Sequence, residues 1–228
     1  MLAMQRGERL TGAYRGVMLA GTPAVRWWGR LEVEGLELLP LDGPVLVAGN
    51  HDSYWDPIAV GIAGMPRRQV RALAKSSMWQ RPLVGRVLDG MGQIPVERGA
   101  GDAAAFTRAV EELRGGACIG IFPEGTRSLG RELRARSGIG RLAEAVPEAT
   151  VLSCTVTGTV QIPRFPPTAR PRVRVEFFTP AGGGLQPGES AIAFAARLLA
   201  EIRARAPIAV AGRKRARELA RAGGRGSE

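Results

Sequence analysis

The chain has 228 residues, 45% hydrophobic and 23% charged, with 32 Lys and Arg against 21 Asp and Glu for a formal net charge of +11. That length supports one substantial core rather than two full domains, and a near-average composition argues against a disordered chain or a membrane-spanning bundle. A positive field favours anionic partners such as phosphates, lipid headgroups or nucleic acid, although only Lys75 and Lys214 are lysines and an Arg bias also follows from genome composition.

Residues 1–30 contain an apolar stretch, Gly16 to Val25, interrupted by Pro23 and bracketed by Arg15 and Arg26. It is about half the roughly 20 residues that a spanning helix needs, and no small-residue cleavage site follows it. Trp27 and Trp28 beside arginines suit a segment at a membrane interface, and equally a helix docked on the domain's own core.

Pro44 to Asn50 is an apolar run ending in turn chemistry, which predicts a buried strand opening into a loop. Asp56-Pro57 reads as an N-cap followed by proline at the first helical position, so His51 to Trp55 form the connection. Gln69 to Ala74 predicts a second strand. Asp102 to Arg114 predicts a helix with Phe106, Val110 and Leu113 on one side. Ala117 to Phe122 is a third buried strand, and its loop reads FPEGTRS.

Further along, Ile139 to Val146 predicts a helix and Val151 to Val156 a strand. Val173, Val175 and Phe177 alternate with Arg174 and Glu176 in another strand. Ala191 to Arg205 predicts an amphipathic helix with Ile192, Ala195, Leu199 and Ile202 on its buried stripe. Cys118 and Cys154 lie in apolar runs without metal-ligand spacing, so free buried thiols are expected rather than a disulfide or a metal site. Beyond Ala206 the chain turns Arg-rich as far as Arg225.

Strands alternating with helices predict an α/β fold, a central mostly parallel or mixed sheet flanked by helices, with chemistry in the loops at strand ends. The expected organisation is an interfacial or docking helix over 1–30, one catalytic domain over 31–206 and a basic tail over 207–228.

His51 is the chain's one histidine, so any imidazole chemistry near neutral pH passes through it. Asp52 and Asp56 lie close in sequence, and a carboxylate bonded to one ring nitrogen would fix the tautomer and leave the other nitrogen free. The plainer alternative is a histidine that merely caps the strand end. In FPEGTRS, Gly125 permits a tight turn, while Thr126 and Arg127 offer a hydroxyl and a planar guanidinium suited to phosphate. An ordinary polar turn would read the same way. There is no G-x-S-x-G elbow and no Walker loop, and Gly138 to Ala143 fits a loose G-x-G-x-x-A only by chance, since no strand precedes it.

Four ordered elements between Leu31 and Gly158 resemble the phospholipid/glycerol acyltransferases, the family that contains lysophosphatidic acid acyltransferase. They are Asn50-His51 to Asp56 in an N-H-x-x-x-x-D pattern, Lys75 in ALAKSSMW, Gly92 to Arg98 (GQIPVER) and the complete Phe122 to Ser128. The resemblance implies direct acyl transfer from acyl-CoA or acyl carrier protein, as co-substrate and without cofactor or metal, to the free hydroxyl of lysophosphatidic acid, giving phosphatidic acid. His51 is then the general base and Asp56 its orienting partner. Arg98 and Arg127 clamp the acceptor phosphate, Lys75 serves that phosphate or the developing oxyanion, and Glu124, Gly125 and Thr126 complete the binding loop, with Glu124 organising it. It further implies a peripheral enzyme on an anionic membrane, at the cytoplasmic face.

Two departures bear on acceptor and chain preference. The run Val151 to Gly158 lacks the family's fourth-motif proline, and where relatives carry lysine after FPEGTRS this chain offers Arg134 or Arg136. Glycerol 3-phosphate or a lyso-aminolipid remains an alternative acceptor. A basic nucleic-acid-binding protein is the rival of another class; an aromatic content of 5% and the lack of a reading motif count against it.

Overall fold

A computed structural model describes residues 10–97, 102–162 and 170–209. Among these residues seven strands form one mixed sheet: β1 (Glu32–Glu34), β2 (Val45–Gly49), β3 (Val70–Lys75), β4 (Ile94–Val96), β5 (Cys118–Ile121), β6 (Thr150–Thr157) and β7 (Arg174–Phe178). Their order is β1-β7-β6-β2-β5-β3-β4. All neighbours run parallel except β6 and β7. The helices are α1 (Gly12–Thr22), α2 (Asp56–Gly64), α3 (Pro82–Gly90), α4 (Ala103–Arg114), α5 (Gly138–Ala145) and α6 (Ala191–Arg205). This is the expected α/β architecture.

Strand β2 is buried along its whole length, as a central parallel strand covered on both faces must be. Its period of two separates the core into two layers. Val45 and Val47 join Cys118, Leu152, Cys154 and Val156 on the face packed by α1 and α2. Leu46 and Ala48 join Ile119 and Val151 on the face packed by α4, α5 and α6. The wholly buried Arg68 closes the opposite end of the sheet, donating to the carbonyls of Gly43 (3.0 Å) and Gly116 (2.5 Å) where the chain enters β2 and β5.

Two readings change. Asp56 is not the N-cap of α2 but its first residue; Trp55 holds the cap position, and the Asp56 side chain turns back to the loop before it. Ile192 is 49% exposed, and the buried stripe of α6 is Phe194, Ala195, Leu198, Leu199 and Ile202. The first turn of α6 meets α5 through its backbone at Ala191, which rotates position 192 by about 100° away from the contact. The short strands β1 and β4 and the helix α3 are further elements, which the sequence reading does not name. In β4 the proline Pro95 is tolerated because β4 is an edge.

Helix α1, capped by Thr11, buries Tyr14 and Met18 against α2. The Tyr14 hydroxyl donates to the Gly61 carbonyl (3.3 Å) and accepts from the Val70 amide (3.2 Å), tying α1 to α2 and β3. The helix is therefore docked on the core, with Leu19 and the following Trp27 left exposed. No helix among the described residues is long and apolar enough to cross a membrane. Of the basic tail expected over 207–228, residues 210–228 lie outside the described residues, as do the first nine residues.

Gly140 explains the loose glycine pattern seen in sequence. A Cβ there would stand 2.1 Å from the Ala191 carbonyl oxygen, so the glycine lets α5 and α6 touch backbone to backbone. Gly140→Ala should cost about 1–3 kcal/mol by overpacking against an atom that cannot rotate away. Gly16 in α1 faces open space, and Gly16→Ala should add about 0.5–1 kcal/mol through helix propensity. Thermal melts of the two variants should move in opposite directions.

Candidate active site

The parallel strands β2, β3 and β5 end at one edge, and each delivers a sequence-predicted residue there: His51 after β2, Lys75 at the end of β3, and the Phe122–Ser128 loop after β5. Asn50 ends the β2–β6 ladder with its side chain. Its amide donates to the Val156 carbonyl and accepts from the Val156 amide, both at 2.8 Å, replacing the next strand pair and turning the backbone toward His51.

His51 Nδ1 lies 3.0 Å from Asp56 Oδ2. Asp56 is fully buried, and the same oxygen accepts the backbone amides of Asp52 and Ser53, each at 2.6 Å. Its other oxygen accepts the Thr159 hydroxyl at 2.5 Å. An oxygen so supplied with donors is an acceptor toward His51, which places the ring proton on Nδ1 and leaves Nε2 unprotonated. The imidazole stacks on Phe122, with ring centroids 4.3 Å apart and planes 15° from parallel.

The FPEGTRS loop is bonded directly to the histidine loop. The His51 amide donates to Glu124 Oε2 (2.8 Å), the Ser128 amide donates to the His51 carbonyl (2.7 Å), and the Ser128 hydroxyl donates to Asp52. Glu124 is 2% exposed and bonds the histidine loop from beneath. Gly125 has φ +68°, and a Cβ there would strike the Arg136 side chain at 2.6 Å. Of the two candidate arginines, Arg136 is thus the one laid over the loop.

His51 lines a cavity of about 620 Å³ on the α1–α2 face of the sheet. Its inner wall is apolar, including Met18, Val47, Val70, Leu88 and Met91; Tyr54, Lys75, Thr126 and Arg127 are among its polar lining. Arg127 stacks on Tyr54 with its guanidinium carbon 3.5 Å from the ring centroid and donates to the phenol oxygen at 2.7 Å. Cys154 also lines this cavity. Burial, with the charges of Asp56 and Glu176, pushes its thiol far up, so it holds its proton and is no nucleophile. Arg98 lies outside the described residues.

Sequence reasoning missed two contributors. Thr159 follows β6, more than a hundred positions from the aspartate it serves, beyond a left-handed Gly158. Arg203 on α6 bridges two carboxylates, donating to both oxygens of Asp52 (3.0 and 2.9 Å) and to Glu124 Oε1 from Nε (3.2 Å) and Nη2 (2.6 Å). The two acids respond differently. Glu124 is raised, since burial outweighs the Arg203 bonds and the Asp52 charge adds to it. Asp52 is lowered, because bonds from Arg203, Ser128 and Asn50 together overcome its burial.

Residues 30–160 match the family model described as Acyltransferase. The chain is 39% identical over 108 residues to a 1-acyl-sn-glycerol-3-phosphate acyltransferase of Borreliella burgdorferi, covering 46% of this chain and 42% of that one. It is 30% identical over 100 residues to the protein of the same name from Bacillus subtilis, covering 44% and 50%. It thus spans half the length or less of these relatives. The fold is similar to the crystal structure of the 1-acyl-sn-glycerophosphate (LPA) acyltransferase PlsC from Thermotoga maritima, with a TM-score of 0.61 at 21% identity, over 84% of this chain and 78% of that one. The family match covers more than half of the chain, including the whole histidine loop and the FPEGTRS loop, and the chain belongs to the acyltransferase family.

Proposed function

We propose that the protein is an O-acyltransferase that moves a fatty acyl group from acyl-CoA or acyl carrier protein to the free hydroxyl of lysophosphatidic acid, giving phosphatidic acid. One observation carries the reading: a histidine whose Nδ1 is held by a buried carboxylate lines an apolar cavity that also carries Lys75 and Arg127. The cavity volume falls within the roughly 300–1,000 Å³ of small-molecule sites, and its apolar wall suits an alkyl chain. The names of the relatives support the choice of acceptor.

The acceptor hydroxyl oxygen attacks the thioester carbonyl carbon while His51 Nε2 takes its proton. The C–S bond then breaks, and the imidazolium returns the proton to the leaving thiolate. Asp56 holds the tautomer and stabilises the imidazolium. Proton transfer of this kind contributes about 10²- to 10⁴-fold in rate. Arg127, with Thr126 and Gly125, binds the acceptor phosphate, joined by Lys75 and by Arg98; Glu124 shapes the loop and takes no proton from the substrate.

Surface chemistry bears on location. Helix α3 exposes Leu83 and Val87, one turn apart, beside Arg81 and Arg86, and the neighbouring exposed Met78 lines the cavity. Apolar side chains flanked by arginines on a chain of net charge +11 suit an anionic leaflet, which favours a peripheral enzyme at the cytoplasmic face.

His51→Ala should fold and lose transfer, and Asp56→Asn should lower kcat by on the order of 10²- to 10⁴-fold. Product formation by mass spectrometry over a panel of donors and of acceptors (lysophosphatidic acid, glycerol 3-phosphate, lyso-aminolipid) checks both; turnover retained without His51 would remove it as the base. In vesicle sedimentation, the chain should bind anionic vesicles, release with rising salt and bind more weakly as the Leu83→Ser, Val87→Ser double variant. Binding indifferent to both changes would reject the surface.

A further inference from the structure

Asp52 belongs to the histidine loop and Glu124 to the FPEGTRS loop, and neither touches the cavity wall. Both are buried, at 4% and 2% exposure, with Arg203 of α6 between them. Two buried carboxylates facing each other without a cation would each carry a desolvation penalty, besides repelling one another. A single guanidinium answers both: its two Nη atoms clasp Asp52, while Nε and Nη2 reach Glu124. Nη1 also donates to the Ala206 carbonyl (3.3 Å), so the fork is anchored to the end of its own helix.

Glu124 is one hydrogen bond from the reacting histidine, and Asp52 reaches it through Ser128. Glu124 Oε2 receives the His51 amide. Asp52 receives the Ser128 hydroxyl, its own amide feeds Asp56 Oδ2, and that oxygen holds His51 Nδ1. The bonds from Arg203 thus converge on the imidazole along two routes, through its backbone and through its ring.

We infer that Arg203 is a positioning residue for the His51–Asp56 pair, locking the histidine loop and the FPEGTRS loop at one spacing from beneath the sheet edge, and that α6 is therefore part of the catalytic apparatus. The inference rests on the acyl-transfer reading for its kinetic consequence only. A lysine has the charge but not the planar fork: its three donors radiate from one nitrogen and cannot reproduce the four bonds that three guanidinium nitrogens make to Asp52 and Glu124. Arg203→Lys keeps the cation and loosens the spacing. A misplacement of about 1 Å in a reacting group costs on the order of 10²-fold in rate.

The test uses the full chain with any histidine tag removed, because His51 is then the sole imidazole and its ring-nitrogen NMR signals need no assignment. In the parent chain, Nδ1 should read as protonated and Nε2 as unprotonated near pH 8. In Arg203→Lys the two nitrogen shifts should move toward each other as the tautomers average, and kcat for acyl transfer should fall about 10- to 100-fold with acceptor and donor KM within about threefold. Nitrogen shifts identical to the parent's would overturn the inference whatever the substrate is. An unchanged kcat in a chain that transfers acyl groups would do the same. Should Arg203→Lys not fold, the neutral triple variant Asp52→Asn, Glu124→Gln, Arg203→Met relieves the buried charge and takes its place. Averaged tautomers there support the role; parental shifts reject it. If the parent transfers no acyl group while the shifts respond as expected, the acyl-transfer reading falls and the positioning role stands.

Discussion

Four hydrogen bonds converge on the buried carboxylate of Asp56, from the His51 ring, the amides of Asp52 and Ser53, and the Thr159 hydroxyl. Removing such a charge from water costs several kcal/mol unless its lone pairs are filled by good donors. That requirement dictates the local chain path. The backbone leaving β2 must curl so that two consecutive amides face Asp56, and that curl sets His51 beside it. Pro57 in the first turn of α2 gives up a backbone donor that has no helical partner there, so the helix can begin directly under the turn. The placement of His51 and the electrostatic satisfaction of Asp56 are one constraint at this position.

The same logic, with less complete compensation, operates one layer below. Arg203 carries one positive charge against two carboxylates, and their protonation equilibria separate accordingly. Asp52, with its acidity strengthened in the fold, adds stability that is present above the unfolded carboxylate range and is lost as pH falls through its lowered folded value. Glu124 acts in the opposite direction. Its raised folded value means the fold holds its proton more tightly than the open chain does, so its ionisation weakens the fold as pH rises. Glu124 nevertheless fixes the His51 amide. The desolvation cost of Glu124 thus resides in the contact between the two loops on which the position of His51 depends.

Much of this is legible in sequence because it is local. Continuous apolar runs mark the central strands, since a strand covered on both faces has no polar positions. His51 and Asp56 are five residues apart within one turn, and Phe122 to Ser128 is contiguous, so both loops stand out as unbroken patterns in the chain. The misreading of Asp56 as a cap has a physical cause: aspartate before proline satisfies the capping pattern, but here its oxygens are taken by the preceding loop. Thr159 and Arg203 are hidden for another reason. Each is an ordinary polar residue whose meaning comes from a partner 103 or 151 positions away, brought near only when β6 lies beside β2 and α6 crosses the far face.

The sheet divides the labour between its two sides. The cavity opens on the face built by Val47, Val70 and Cys154, where β5 contributes Gly120 and β3 contributes Ala72 and Ala74; the ionic lattice of Arg203 reaches the loops from α6, which packs on the other face. A Cβ at Gly120 would stand 2.9 Å from Val70 Cγ1, so the void depends on small side chains within the strands themselves. On the acyl-transfer reading, loop substitutions at Thr126 and Arg127 would alter headgroup recognition without changing the depth of the apolar space. Conversely, a larger residue in β3 or β5 shortens that space without touching His51 or Asp56. On the acyl-transfer reading, chain-length preference is a property of the sheet and acceptor preference a property of the loops, and the histidine at the strand end is the point where the two meet.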